Sequence, residues 1–377
     1  MRKRFGRVWN SERKPGKSGE GKMKILVINP GSTSTKIAVF EEDREEFCET
    51  VRHREEELKG FQRSLDQVDF RKNVIKKVLA QSGYRLEDFS AVCSRGGLCR
   101  HIPSGTYEIN QQVLDDISSG INGEHACNAG PFIAGQISRG TGMKAYFLDP
   151  VVTDELSDVA RISGYAGMER ESFFHALNHK SVARKAASLL GKRYEEANLV
   201  IAHMGGGVSV AAHEKGRAAD VYNIKNEGAM GMDRCGSIPT ADVIRMCYER
   251  PREEVEQLLF HQGGIYSYLG VRDFRSIEQK VCEGNREYTK IWNAFAYQIA
   301  KDIGAMAAAL RFDVDAVVYT GGIAYSDRFC EELSSYVGDL APVIRIPGEE
   351  EMKALAEGAL RVLRGEPAEK YESGGAG

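Results

Sequence analysis

The chain lacks any CxxC pair: its eight cysteines, Cys48, Cys93, Cys99, Cys127, Cys235, Cys247, Cys282 and Cys330, stand singly along its length. That spacing argues against a zinc ribbon and a disulfide scaffold, and reads as reduced thiols in a cytosolic protein. No apolar run approaches the ~18 residues a membrane-spanning helix needs. Neither sign of charge dominates: 51 Lys and Arg against 54 Asp and Glu leave a formal −3, so nothing global points to nucleic acid or an anionic membrane. The expectation is a cytoplasmic protein with neither as a partner. Residues 1–22, MRKRFGRVWNSERKPGKSGEGK, are basic and rich in Gly and Ser but lack the apolar stretch of a secretory signal. They read as a disordered basic tail ahead of Met23, with a basic interaction arm as the alternative.

What is plentiful is glycine, 40 residues of 377, several of them clustered between apolar runs. KILVINPGSTSTKIAVF (24–40) is an apolar strand, a small polar turn and an alternating strand. NLVIAHMGGGVSVAAHEKGRAADV (198–221) repeats the layout, which predicts two related halves. A third strand and glycine turn, VDAVVYTGGIAYSDRF (314–329), leads into a helix. Helical apolar stripes run over 293–311 (Phe295, Ile299, Ile303, Met306, Leu310), 351–364 (Met352, Leu355, Ala359, Leu363) and 172–190 (Leu177, Val182, Ala186, Leu189). Strands alternating with helices predict an α/β protein. The length allows two domains, placed at 23–150 and 151–348, with the helix 349–365 packing back on the first. The cleft between them is the expected site.

The first turn, Asn29-Pro30-Gly31-Ser32-Thr33-Ser34-Thr35-Lys36, offers backbone N–H groups and hydroxyls to phosphate oxygens. It is not a P-loop, since the GxxxxGK[ST] spacing is absent and a strand follows; an ordinary hairpin turn has the same composition. In the second turn, Gly205-Gly206-Gly207 after His203, each glycine costs up to ~1 kcal/mol relative to Ala in a regular element. A chain tolerates that where a backbone must approach something closely, phosphate included, or at a β-bulge. The third, Gly321-Gly322-Ile323, can let an adenosine ring lie against the backbone or can be a tight strand-to-helix turn. His175 and His179 have a spacing compatible with zinc on one helix face, but no HExxH glutamate or third ligand accompanies them.

Together the three turns resemble the acetate and sugar kinase, heat-shock chaperone and actin superfamily. NPGSTSTK, SRGG, EHACNAG, DPVVTDEL, ARISG, FFHALNHK, HMGGGVSV, MDRCGSIP and GGIA, in this order from Met23 to about Arg364, resemble the butyrate kinase branch of the acetate kinase family. The resemblance implies a two-domain duplicated actin-like ATPase (ribonuclease H-like) fold with mixed sheets flanked by helices. It implies ATP and Mg²⁺ as cofactors, a short-chain carboxylic acid as substrate, and a homodimer or higher homo-oligomer.

The resemblance also implies roles. Asn29 lies near the transferred phosphate and metal, and the turn residues Ser32, Thr33, Ser34 and Lys36 bind nucleotide, as do His203, Gly205, Gly206, Gly207, Gly321, Gly322 and Ile323. Arg95, in SRGG, meets the substrate carboxylate, a task suited to a bidentate guanidinium. Arg234 stabilises the phosphoryl group in flight, and His175 donates to its oxygens. Asp149 orients Mg²⁺, Glu349 is its acidic partner, with Glu350 and Glu351 adjacent, and His125 is a further substrate-site histidine. His179 is left to helix packing. The chain departs from the acetate kinase pattern at Phe174-His175-Ala176, at Gly206 and at Ala324-Tyr325-Ser326-Asp327, which favours butyrate or a branched relative over acetate.

The reaction so implied is reversible formation of an acyl phosphate from ATP. A carboxylic acid with a pKa of about 4–5 is ionised at neutral pH and needs no general base. The alternatives are an acetate or propionate kinase, and an actin- or chaperone-like ATPase switch. A dinucleotide oxidoreductase is discounted for want of GxGxxG.

Overall fold

The computed structural model describes residues 22–372; of the tail expected at 1–22, residues 1–21 lie outside the described residues. Strands β1 (Lys24–Pro30), β2 (Ser34–Glu41), β3 (Arg44–Arg52), β4 (Ala91–Arg95), β5 (Thr106–Glu108) and β6 (Lys144–Leu148) form one sheet, ordered β3-β2-β1-β4-β6-β5. Strands β7 (Asn198–Met204), β8 (Val208–Glu214), β9 (Arg217–Val221), β10 (Ala316–Gly321) and β11 (Val343–Pro347) form a second, ordered β11-β10-β7-β8-β9. From its other edge the second sheet reads β9-β8-β7-β10-β11, matching the first five places of the first. In both, the first two pairings are antiparallel and the next two parallel. The repeated hairpin seen in the sequence is thus a repeated sheet, and β5 is an addition to the first half.

The helices are α1 (Val68–Gln81), α2 (Gln111–Ser119), α3 (Ala129–Thr141), α4 (Ala176–Leu189), α5 (Thr240–Glu249), α6 (Arg252–His261), α7 (Phe274–Cys282), α8 (Arg286–Ala309), α9 (Asp327–Val337) and α10 (Glu351–Leu363), with short turns of helix between some of them. β1 is apolar from Ile25 to Ile28 because both sides are covered there. Its Leu26 and Ile28 meet Ile75, Ile133 and Ile137 of α1 and α3, while Ile25 and Val27 meet Met352, Leu355 and Ala359 of α10. In the second sheet Val200 and Ala202 pack on Phe295, Ile299 and Ile303 of α8, while Leu199 and Ile201 pack on Val182 and Ala186 of α4. The last helix therefore returns to the first sheet, and Gly365, at φ +107°, takes the left-handed conformation just past its end.

Two helix boundaries differ from expectation. α4 starts at Ala176 rather than at Ser172. The Ser172 hydroxyl donates to the Thr153 carbonyl (2.6 Å) and the Phe174 N–H to the Val151 carbonyl (3.0 Å), holding 172–174 out of the helix. Its last residue, Leu189, is 70% exposed instead of turned inward. α8 starts at Arg286 rather than 293, because the Asn285 side chain accepts from the N–H groups of Glu287 and Tyr288 and caps an earlier, polar turn. Among the described residues no helix is long and apolar enough to cross a membrane.

Candidate active site

In a parallel strand arrangement, side chains at the carboxyl ends of strands are the ones left free to meet a ligand. Here the ends of β1, β4 and β7 carry Asn29, Arg95 and His203. Asn29 and His203 hold equivalent places in the two halves, each followed by its glycine turn. The start of α10 is placed over the first sheet. Glu351 accepts from the Asn29 amide at 2.6 Å and pairs with Arg95 at 3.0 Å. Burial works against the Arg95 charge, but the Glu351 and Glu349 carboxylates more than offset it, so its pKa is raised. Of the three adjacent glutamates, Glu351 is the one joined to Asn29 and Arg95. Glu349, expected in that place, lies beside His203, 3.1 Å from Nε2 to Oε1 but not aligned as a hydrogen bond. The His203 ring and the Arg95 charge hold the Glu349 carboxyl below its usual range against the opposing effect of burial. Glu350 points elsewhere, to Lys185.

From the second half come His175, Arg234 and Gly207. A Cβ built on Gly207 would stand 3.3 Å from His175 Cε1 and 3.4 Å from Arg234 Nη1, so the glycine lets both side chains close on the turn. His175 stacks on His203, centroids 3.8 Å apart and planes 14° from parallel. Burial pushes His175 well below its ordinary pKa, with His203, His179, Arg95 and Arg234 adding to the effect, so it is neutral. His125 accepts from the Cys127 N–H through Nδ1 (3.2 Å), which leaves Nε2 as its N–H. Its pKa is lowered by burial first and then by the charges of Arg95 and Arg234. The Asn178 amide donates to the Gly348 carbonyl (3.3 Å), so its oxygen must face His203 Nδ1 (2.8 Å), and His203 carries its proton there. His203 Nε2 is buried without a hydrogen-bond partner.

The turns differ in what holds them. Arg71 on α1, fully buried, donates to the carbonyls of Ser34 (2.7 Å) and Ser32 (3.2 Å) and to the Thr35 hydroxyl (2.9 Å). Burial brings its pKa down to about 10. It braces the first turn from below while Ser32 and Thr33 stay exposed above, and Lys36 lies across from Asn29 in the β1–β2 register. In the second turn nothing lies within 4 Å of a Cβ built on Gly206, so that face is open. In the third, Gly321 has φ +82° and its Cβ would fall 2.4 Å from the Met204 carbonyl oxygen. Gly321 is thus demanded by backbone packing, while Gly322 is open and Ile323 is buried. The pair after Arg95 is also explained by packing: Cβ atoms on Gly96 and Gly97 would stand 2.8 Å from Pro150 and 2.9 Å from Ile117.

Asp149, expected to orient Mg²⁺, is not joined to Asn29, Arg95, Glu349 or Glu351. Its backbone turns at φ +36°, and Oδ1 accepts from the Ser104 hydroxyl (2.7 Å) and the Gly105 N–H (2.9 Å). Oδ2 has no hydrogen-bond partner, and Asp149 borders a small cavity also lined by Arg184, Glu357 and Arg361. Its visible work is to fix the loop at Ser104. Among the described residues no group of three or more His, Cys, Asp and Glu side chains is arranged to hold a metal, and the i, i+4 pair His175 and His179 is no exception. Mg²⁺ does not require such a cage, because it usually takes one or two carboxylates together with phosphate oxygens and water. Glu351 at Asn29 and Glu349, 43% exposed, fit that need.

Sequence reasoning passed over Ser209, His213, Tyr194 and Asn178, all buried and hydrogen-bonded to the histidines. A signal was present: in β8 the polar Ser209 and His213 alternate with Val208, Val210 and Ala212, which face α8. Two polar residues on one inward face of an apolar strand need partners.

Residues 165–339 match the Acetokinase family. The acetokinase stretch holds His175, His203, Arg234 and the second and third glycine turns; Asn29, Arg95, Glu349 and Glu351 lie outside it. The structure is similar to acetate kinase from Porphyromonas gingivalis, at 20% identity over 90% of this chain and 100% of that one, with a TM-score of 0.75. It is also similar to a propionate kinase from Francisella tularensis subsp. tularensis (18%, 89% and 98%, 0.71) and to acetate kinase from Entamoeba histolytica (16%, 89% and 98%, 0.70). The expected fold is borne out: this is the duplicated actin-like ATPase fold, with two mixed sheets flanked by helices.

Proposed function

We propose that the whole chain is an acetokinase-family enzyme that transfers the terminal phosphoryl group of ATP to a short-chain carboxylic acid, reversibly, giving an acyl phosphate. The observation that carries this reading is Arg234 and a neutral His175 closing on the open Gly206–Gly207 turn of the second half, with Arg95 of the first half adding its charge to those that depress His175. An acid that is already ionised needs charge neutralised around it, and the site offers that instead of a general base.

In this reading Arg95 leaves Glu351 or shares it to bind the incoming carboxylate. Arg234 faces the equatorial oxygens of the phosphoryl group, and His175 donates to one of them, stabilising a loose transition state. The turns at Ser32–Thr33 and Gly205–Gly207 bind phosphates from opposite halves, and Gly322 lines the nucleoside end. Glu349 and Glu351 would hold Mg²⁺, which supplies positive charge to the phosphates when bound. Closure of the two halves would exclude water and limit futile hydrolysis. The assembly in this reading is a homodimer or higher homo-oligomer.

For the acyl chain we propose butyrate or a branched relative, supported by the departures from the acetate kinase pattern around His175, Gly206 and Ala324. Each added methylene contributes only about 0.8 kcal/mol when buried, so isobutyrate, valerate and propionate should also react. The names of the similar structures support acetate or propionate as the second reading. Trapping the product with hydroxylamine across a series of acids tests both: the highest kcat/KM should fall on a four- or five-carbon acid. A preference for acetate of more than about tenfold, or 1.4 kcal/mol, would overturn the chain-length proposal.

A further inference from the structure

Behind His175 a line of buried polar atoms runs away from the cleft. His175 Nδ1 is 2.9 Å from the Ser209 hydroxyl, which is 2.9 Å from His179 Nε2. His179 Nδ1 is 3.2 Å from His213 Nε2, and His213 Nδ1 is 2.7 Å from the Tyr194 hydroxyl. The side chains of His179, Ser209 and His213 are 1% exposed or less, and Tyr194 5%. None of these polar atoms is without a hydrogen-bond partner.

The direction of the chain follows from counting protons. A neutral imidazole has one donor nitrogen and one acceptor, and each hydroxyl has one proton. The Tyr194 hydroxyl has a single hydrogen-bond partner among the described residues, His213, and the groups over its ring are the cations of Lys180 and Arg184, which accept nothing. Tyr194 must therefore donate to His213 Nδ1. Each next proton is then forced: His213 Nε2–H to His179 Nδ1, His179 Nε2–H to Ser209, and Ser209 O–H to His175 Nδ1. The one nitrogen left with a proton to offer is His175 Nε2, on the ring that flanks Gly207 and Arg234. Reversing the chain, or letting Ser209 accept from both rings, strands a buried O–H without an acceptor.

Resting on the proposed reaction for its effect on turnover, we propose that Ser209, His179, His213 and Tyr194 are positioning residues. They form a one-way hydrogen-bond chain that locks His175 as the Nε2–H tautomer and aims that proton at the transferred phosphoryl group. Leaving a buried hydroxyl unpaired biases the tautomers by roughly tenfold or more. The chain therefore fixes the ring before any ligand arrives.

The test is long-range 1H–15N NMR of the full chain labelled in histidine, without ligands at pH 7.5, with His175 assigned from the spectrum of His175→Gln. The expected result is a protonated Nε2 and an unprotonated Nδ1 in His175, His179 and His213. Tyr194→Phe, remote from the cleft, should move His175 towards a tautomer mixture. Ser209→Ala should do the same and lower kcat by roughly tenfold with little change in KM for the acid, and Ser209→Thr should restore both. An Nδ1–H His175 in the unaltered protein overturns the inference, as does Ser209→Ala with unchanged spectrum and kcat. If no acyl phosphate forms, the proposed reaction fails but the spectra still decide the chain. If Ser209→Ala does not fold, the unaltered protein and Tyr194→Phe decide it.

Discussion

Replacing Arg234 with alanine separates chemistry from folding. The neighbouring Asp233 pairs with Arg272 at 3.7 Å, and no carboxylate pairs with Arg234 among the described residues. Its removal thus leaves no buried charge behind, and a partly exposed, unpaired side chain of this kind costs within about 0.5 kcal/mol of stability. In the reaction the loss is much larger. A unit charge about 4 Å from another contributes roughly 4 kcal/mol at an effective dielectric of 20. Arg95, His175 and the metal retain part of the stabilisation, so kcat should fall by about 10²–10³-fold. Hydroxamate trapping at saturating acid and ATP measures kcat, and differential scanning fluorimetry measures Tm, which should shift by no more than about 2 °C. Arg234→Lys, with its point charge in place of a planar fork, should recover only part of the rate. A kcat within about threefold of the unaltered protein, at unchanged Tm, would refute the reasoning; threefold is under 1 kcal/mol.

Gly206→Ala should fold normally, because nothing lies within 4 Å of the new methyl, yet weaken ATP binding by isothermal titration; Gly321→Ala, whose methyl meets the Met204 carbonyl at 2.4 Å, should lower Tm sharply. Glu351→Ala removes the partner of Arg95 and Asn29, and urea unfolding should report a loss of about 1–3 kcal/mol that added carboxylate partly restores. His175, His179 and His213 are held well below 6.5 by burial, so the unfolded chain binds more protons near that pH. Their contribution is full above pH 6.5 and lost as pH falls; His213→Gln should reduce the pH slope of stability below 6.5 by about one proton. Asp302, which accepts from the Ala229 N–H at 2.6 Å, is pushed up to about 7 by burial. Its contribution is full below 3.8 and lost as pH rises through 7, so Asp302→Asn should stabilise the protein in urea at pH 8 and not at pH 4.

The fold was legible where local cost betrayed a purpose. The layout of apolar strand, turn and alternating strand occurs twice, and the sheets repeat because the sequence does. His175 and His203 stack, and His175 and Arg234 both close on Gly207, as sequence-distant residues of one region. Other features depend on phase or on backbone direction. Which of Glu349, Glu350 and Glu351 faces Arg95 is set by where the first turn of α10 begins, and a run of three glutamates does not encode that. The sequence does not show that Asp149 turns at φ +36° and that its Oδ1 accepts from Ser104 and Gly105 while Oδ2 has no partner. Arg71 is shown to be a brace only by its burial beneath the first turn. His179 read as packing, yet it is a link between Ser209 and His213. A hydrogen-bond chain built from a helix, a strand and the turn of helix at Tyr194 exists only once all three are packed together.

The central claim is transfer of phosphate to a carboxylate, and 31P NMR tests it most directly. With ATP, Mg²⁺ and butyrate, the account predicts an acyl phosphate resonance growing in step with ADP, and its loss in Arg234→Ala. ADP accumulating with inorganic phosphate alone, at the same rate with or without any carboxylic acid, would contradict it.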